Sequence, residues 1–214
     1  MEEIKFSQID QFIINFDDAL KTIFGPLKPA DRPNPALNIE EGVLSEAEKN
    51  LSGKLMRVNH AGEIAAQALY RGQALTARLE EVRSVMDHSA QEENDHLVWC
   101  RYRVQELGTH TSYLDIFWYG GSFMIGVLAG IAGDKWSLGF VTETEYQVVK
   151  HLEEHLEKFP AHDMRTRAIV EQMKQDEFEH AITAIESGGI ELPVLIKTIM
   201  KITSKIMTRT AYWI

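Results

Sequence analysis

Apolar residues recur at helical spacing along most of the chain, and strand-like alternation is nearly absent. Ile4, Ile9, Phe12, Ile13, Phe16, Leu20 and Phe24 predict a short amphipathic helix over 4–24. The run GPLKPADRPNPALN at 25–38 then forbids a helix, because a residue preceding proline is pushed out of the helical region. Ser45 with Glu48 three residues on reads as a capping box. It opens a long helix with Leu51, Leu55, Val58, Gly62, Ala66 and Leu69 on one stripe, running to about Ala77. A second stripe is Val82, Met86, Ala90, Glu93, Leu97, Cys100, Val104 and Leu107, with Gly108 as its stop. Leu138, Val141, Glu145, Val148, Leu152, His155 and Phe159 mark a third helix, ended by Pro160. Ile169, Met173, Glu177, His180, Ala181 and Ala184 mark a fourth, ended at Gly188-Gly189. The apolar segment YLDIFWYGGSFMIGVLAGIAG (113–133) separates the second from the third, and the tail from Leu192 to Ile214 predicts a further helix. The expected class is all-α. An antiparallel four-helix bundle occupies 45–189, an amphipathic helix and Pro-rich linker 1–44, and a C-terminal helix 190–214.

The stripes contain acids and histidines where a core wants hydrocarbon. QEENDH (91–96) and QDEFEH (175–180) each place a Glu three residues before a His, Glu93…His96 and Glu177…His180, so each pair shares one helix face. With 22 Glu and 8 His in the chain, about one such pair is expected by chance, so the spacing alone proves nothing. Their setting does more, because an isolated buried carboxylate costs several kcal/mol or takes up a proton. Glu63 lies 30 residues before Glu93, and Glu145 lies 32 before Glu177. The chain therefore repeats one unit: a helix with an inward Glu, then a helix with an inward Glu-x-x-His. Two units bring four carboxylates and two imidazoles to one interior, the ligand set of ferritin-like dimetal carboxylate proteins. Oxygen and imidazole donors suit iron or manganese, and these ligands alone leave the choice between them open. Glu92 and Asp176, each just before a ligand Glu, are candidates to orient the imidazoles. His60 and His151 are expected to be hydrogen-bonded structural histidines, and Cys100 a small core residue.

Composition narrows the class further. A formal charge of −10 argues against nucleic acid as a partner. The single Cys100 rules out an internal disulfide and points to a reducing compartment. The acidic N-terminus shows no secretory signal pattern.

RVNHAGEIAAQALYRGQ (57–73) resembles the first ligand motif of the demethoxyubiquinone hydroxylases, in which an Arg-Val-Asp-His-Ala-Gly-Glu run precedes Tyr-x-Gly-Gln. QEENDHL and QDEFEH resemble the family's second- and fourth-helix motifs. The likeness covers 51–187, is weak over the first 45 residues, and departs from the motif at Asn59 where the family has Asp. It implies a ferritin-like bundle whose metal ligands and catalytic residues are Glu63, Glu93, His96, Glu145, Glu177 and His180. It further implies two iron ions per chain, O2 as co-substrate, an external reductant, and a polyprenyl quinol whose ring is hydroxylated in ubiquinone biosynthesis.

A lipid-tailed substrate gives meaning to the tail, where Lys197, Lys201, Lys205 and Arg209 form a basic ridge beside Ile199, Met200, Ile202 and Ile206, with Tyr212 and Trp213 at the end. That segment carries +4 and leaves −14 on the other 191 residues. Basic amphipathic helices lie on anionic membranes. With 113–133 as a shallow interfacial helix, the expectation is a peripheral protein on the cytoplasmic side of the cell membrane, its homo-oligomeric state open. Rival readings are a ferritin-like oxygenase acting on another substrate, such as a modified nucleoside, an iron-storage or iron-binding protein, and an interaction protein with a relic site.

Overall fold

The computed structural model describes residues 8–25 and 30–214, so Ile4 and the side chains of Ile9, Phe12, Ile13 and Phe16 lie outside the described residues. The helices are α1 (Gln8–Phe24), α2 (Glu46–Thr76), α3 (Glu80–Glu106), α4 (Asp115–Ala132), α5 (Asp134–Lys158), α6 (Met164–Glu186) and α7 (Val194–Trp213). The described residues contain no strand. The capping box at Ser45 and Glu48 is complete in both directions. Gly108 closes α3 at φ +70°, and the Thr109 amide donates back to the Val104 carbonyl.

Helices α2, α3, α5 and α6 form the bundle, in two antiparallel pairs, α2 with α3 and α5 with α6. The second and fourth predicted stripes are its interior, with all eight and all six residues buried. On α2, by contrast, Leu51, Gly62, Ala66 and Leu69 are half-buried, and the inward face, shifted by one position, is Met56, Asn59, Glu63, Gln67 and Tyr70. Helix α4 returns the chain beside α2 from about Val58 to Thr76, so α3 and α5 run the same way. Its glycines permit that approach. A Cβ at Gly126 would lie 2.2 Å from the Leu69 carbonyl oxygen, and one at Gly72 would lie 2.3 Å from that of Phe123. Helix α7 then runs down the α2 flank next to α4, where Trp118 and Tyr212 pack with Val58, Ala61 and Ala211.

Both covering helices leave apolar faces outward. Phe117, Leu128 and Ile131 on α4, and Leu195, Ile199, Ile202 and Ile206 on α7, are more than half exposed. Among the described residues α4 is the one helix long and apolar enough to cross a membrane. The basic ridge of α7 is shorter than expected, because Lys197 is paired with Glu191 at 3.1 Å and Glu143 at 3.4 Å.

The described part of the Pro-rich linker, from residue 30 on, is not a loose connection. Ala36 is fully buried, and Glu41 makes a two-toothed ion pair with the fully buried Arg103 at 2.6 and 2.9 Å. Arg103 also reaches Asp163 at 2.8 Å, tying the linker to α3 and to the start of α6. Two apolar layers fill the bundle. One gathers Met56, Trp99, Leu152 and Met173, the other Met86, Leu138, Val141 and Ala184. The acidic residues lie between them.

Candidate metal centre

Each bundle helix contributes one turn to the centre. Ligand-type atoms of Glu63 (α2), Glu93 and His96 (α3) and Glu177 (α6) all lie within 4.8 Å of one another, and all four residues are buried. His180 joins through Nδ1, 3.1 Å from Glu177 Oε2 and 3.5 Å from Glu93 Oε1. Glu145 on α5 is outside that tight group. Its Oε1 accepts a hydrogen bond from the Tyr70 hydroxyl at 2.5 Å, and it lines a cavity together with Glu63 and Glu177. All six residues chosen from the sequence thus face one interior, four of them in mutual reach and His180 in reach of Glu93 and Glu177.

The geometry suits a cation better than a hydrogen-bonded network. Nδ1 of His96 has carboxylate oxygens of Glu177, Glu93 and Glu63 at 3.1, 3.4 and 3.5 Å. Yet Nδ1 and both oxygens of Glu93 are buried without a hydrogen bond. Buried polar atoms are nearly always bonded, so lone pairs converging on a shared point mark a place for a positive charge. The opposite ring nitrogens are satisfied from outside the cluster. Nε2 of His96 meets Asp176 Oδ2 at 2.8 Å, and Nε2 of His180 meets Glu92 Oε2 at 2.8 Å. An Nε2–H held by a carboxylate leaves Nδ1 as the free donor, the arrangement expected of metal-binding histidines. Both sequence candidates for this orienting role therefore take it, crosswise, each serving the histidine of the other Glu-x-x-His helix.

Electrostatics agree. Burial, then the negative charge of Glu93, raises Glu63 well above the carboxylate range, and burial with Glu177 and Glu93 does the same to Glu145. For Glu93 burial also pulls upward, but the His180 and His96 imidazoles beside it outweigh that and hold it low. Burial lowers both imidazoles, but the carboxylates around them outweigh it and leave His96 and His180 raised well above the usual range. Without a metal the cluster is balanced by protons. Divalent cations can replace them at the same Nδ1 and carboxylate positions. Burial and the nearby carboxylates push Tyr70 well up, so it stays a donor to Glu145.

Other polar residues divide as follows. His60 is structural as expected: fully buried, with Arg101 3.5 Å from Nε2 and Asp115 3.4 Å from Nδ1. His151 is not the hydrogen-bonded residue expected. Its Nε2 is buried without a partner, and its ring lies 3.9 Å from that of His155 between centroids. Cys100 is a core residue, with Sγ 3.6 Å from Met173 Sδ. Three contributors were not picked out from sequence: Tyr70, Asp95 and Arg32. Tyr70 had a signal, since it lies seven residues after Glu63 on the same face. Arg32 had none, because it reaches the centre from a linker more than 60 residues away in sequence.

Residues 50–211 match the family model described as ubiquinone biosynthesis protein COQ7. The chain is 66% identical over 214 residues to a 3-demethoxyubiquinol 3-hydroxylase of Nitrosococcus oceani, covering 100% of both chains. A protein of the same name from Nitrosomonas eutropha is 54% identical over 206 residues, 96% of this chain and 99% of that one. Another from Acinetobacter baumannii is 52% identical over 209 residues, 98% and 99% of the two chains.

Proposed function

Because the chain belongs to the COQ7 family of ubiquinone-biosynthesis proteins, we propose that it is a 3-demethoxyubiquinol 3-hydroxylase that places one oxygen atom of O2 on a ring C–H of a polyprenyl 2-methoxy-5-methyl quinol. The observation that carries the reading is the convergence of two Glu-x-x-His pairs and Glu63 on one buried point with unsatisfied lone pairs. In this reading Glu63, Glu93, His96, Glu145, Glu177 and His180 hold two iron ions. Bound iron would supply the redox chemistry of O2, the second oxygen atom leaving as water with two electrons from an external reductant and two protons.

The residues of the chain then have definable roles. Asp176 and Glu92 hold the Nε2–H groups and so aim both Nδ1 atoms inward. Tyr70 fixes the Glu145 carboxylate. The apolar layers on either side keep bulk water from the reacting atoms. A narrow cavity reaches the carboxylates of Glu63, Glu145 and Glu177 from beneath α7, past Gly62, Ser204 and Met207. In this reading it marks the direction from which a flat quinol ring approaches, on the side of the helix whose isoleucines face outward. We assign those faces of α4 and α7 to the membrane surface on the cytoplasmic side, with the polyprenyl tail remaining among the lipids. Helix α4 lies against α2 along its length, which suits attachment to one leaflet rather than a crossing.

Metal analysis of protein from iron-replete cells, followed by turnover of a short-tailed demethoxyquinol, tests this reading. About two irons per chain and a hydroxylated product are expected. Glu177→Ala or His180→Ala should abolish product while helix content survives. An intact metal pair that forms no product would remove the assigned reaction.

A further inference from the structure

The two histidines of the centre are held to different standards. Asp176, behind His96, is buried and receives three groups. They are His96 Nε2 at 2.8 Å, Gln172 Nε2 at 2.9 Å on its other oxygen, and Arg32 Nη2 at 2.9 Å. Arg32 arrives from the linker. Its Nε donates to Asp95 Oδ2 at 2.9 Å, and the backbone amides of Asp31 and Arg32 donate to the same carboxylate at 2.8 and 3.2 Å. Its guanidinium lies 5.1 Å from the centroid of the Trp99 ring. One planar cation thus locks two buried acids, Asp95 of α3 and Asp176 of α6, immediately behind His96. Glu92, behind His180, has no such brace. It is 31% exposed, and its neighbour His88 is 3.7 Å away and 73% exposed. Both border an open cleft of about 360 Å³ that reaches His180 and is also lined by Arg32 and Asp176, so the two sides differ in bracing rather than in access to solvent.

We propose that Arg32 is a positioning residue for the His96 half of the centre, and that this lock makes the two halves unequal, the His96 half binding metal first and more tightly. A histidine ligand is only as well aimed as the group behind it, and losing such a partner typically lowers metal affinity 10- to 100-fold. The fork of arginine matches two carboxylates at once, whereas a lysine at the same place offers a point charge without that geometry. Without Arg32, Asp95 and Asp176 face each other with no cation between them, and Asp176 loses the contact that fixes it against the ring. Among the described residues Glu92 has no second cation or backbone amides behind it, so the His180 half is the less constrained one. The lock also gives the Pro-rich linker a purpose, since its restricted backbone presents Arg32 and two amides at a fixed place.

The inference rests on the dimetal reading, and one titration separates the two. Metal-free full-length protein is titrated anaerobically with Co2+, followed by visible absorption and calorimetry. The wild type should fill in two steps. Arg32→Ala should weaken the tighter step 10- to 100-fold and leave the weaker one in place, with Arg32→Lys recovering part of the loss. Glu92→Gln should shift the weaker step alone. A purely structural role for Arg32 would weaken both steps together in proportion to a fall in Tm, and that result overturns the proposal. So do two equal steps in the wild type, or a tight step indifferent to Arg32→Ala. Should Arg32→Ala fail to fold, the same criteria apply to Arg32→Lys. A wild type that binds no Co2+ sinks the dimetal reading itself.

Discussion

Gly62 sits in the middle of α2, one residue before Glu63, where glycine costs a helix about 1 kcal/mol relative to alanine. Packing does not demand it, since a Cβ built there meets nothing within 4 Å. What it borders is the cavity that runs to Glu63, Glu145 and Glu177. The contrast with Gly72 and Gly126, where a Cβ would strike backbone, is direct. On the proposed function, Gly62 keeps space for the substrate ring. Gly62→Ala should therefore raise Tm by a few degrees, about 2–4 °C per kcal/mol for a chain of this size, while raising KM for the quinol. Gly62→Leu should stop turnover with metal content unchanged. Melting curves and kinetics on both variants decide the point, and wild-type kinetics in Gly62→Leu would move the ring elsewhere.

Helix α5 carries a histidine pair, the half-buried His151 and the buried His155, whose protonation the fold resists. Burial first, then Lys158, lowers His151 to about 4, and burial with His151 and Lys158 lowers His155 to about 2. Unfolded, each titrates near 6.5 and takes up a proton that the folded pair refuses. Between pH 6.5 and about 4 the unfolded state therefore binds more protons, so the stability these groups permit is present above 6.5 and lost as pH falls. For His151 the full effect is roughly 3 kcal/mol at most. Denaturant midpoints of metal-free protein between pH 7 and pH 5 should fall on acidification, and fall less in His155→Phe, whose ring would remain beside Phe159. Parallel pH curves for the two proteins would show that the pair does not titrate on unfolding. Elsewhere, element-scale packing depends on single backbone approaches, as where α4 lies on α2 at Gly126.

At the scale of the molecule, charge and grease are sorted onto different faces. The chain carries −10 overall, yet Lys201, Lys205 and Arg209 stand on α7 beside the outward isoleucines. Attraction to anionic lipid is worth about 1 kcal/mol per basic residue near the surface. Lys201→Glu combined with Lys205→Glu should weaken co-sedimentation with anionic vesicles by well over 10-fold, with the metal content untouched. Equal sedimentation of the double variant would mean that α7 does not meet the membrane through this ridge. On the proposed membrane seating, a cavity mouth under α7 would let a substrate with a lipid tail reach the carboxylates without leaving the bilayer.

Periodicity determined the bundle and most of its inward residues, because a 3.6-residue repeat records which face is buried whatever packs against it, and capping and breaker residues set the helix ends. It also picked out the six acids and histidines, since polar groups on apolar stripes conflict with burial unless they serve one another or a metal. The tertiary structure decided what depends on partners distant in sequence. It put Tyr70 on Glu145, crossed Asp176 and Glu92 onto the histidines of opposite helices, and brought Arg32 from a proline-rich linker to Asp95 and Asp176. It removed Lys197 from the basic ridge by pairing it with Glu143 and Glu191. Helical spacing is a property of each segment, written locally in its residues. Which segments meet, and through which atoms, is fixed only when their faces close on a common core.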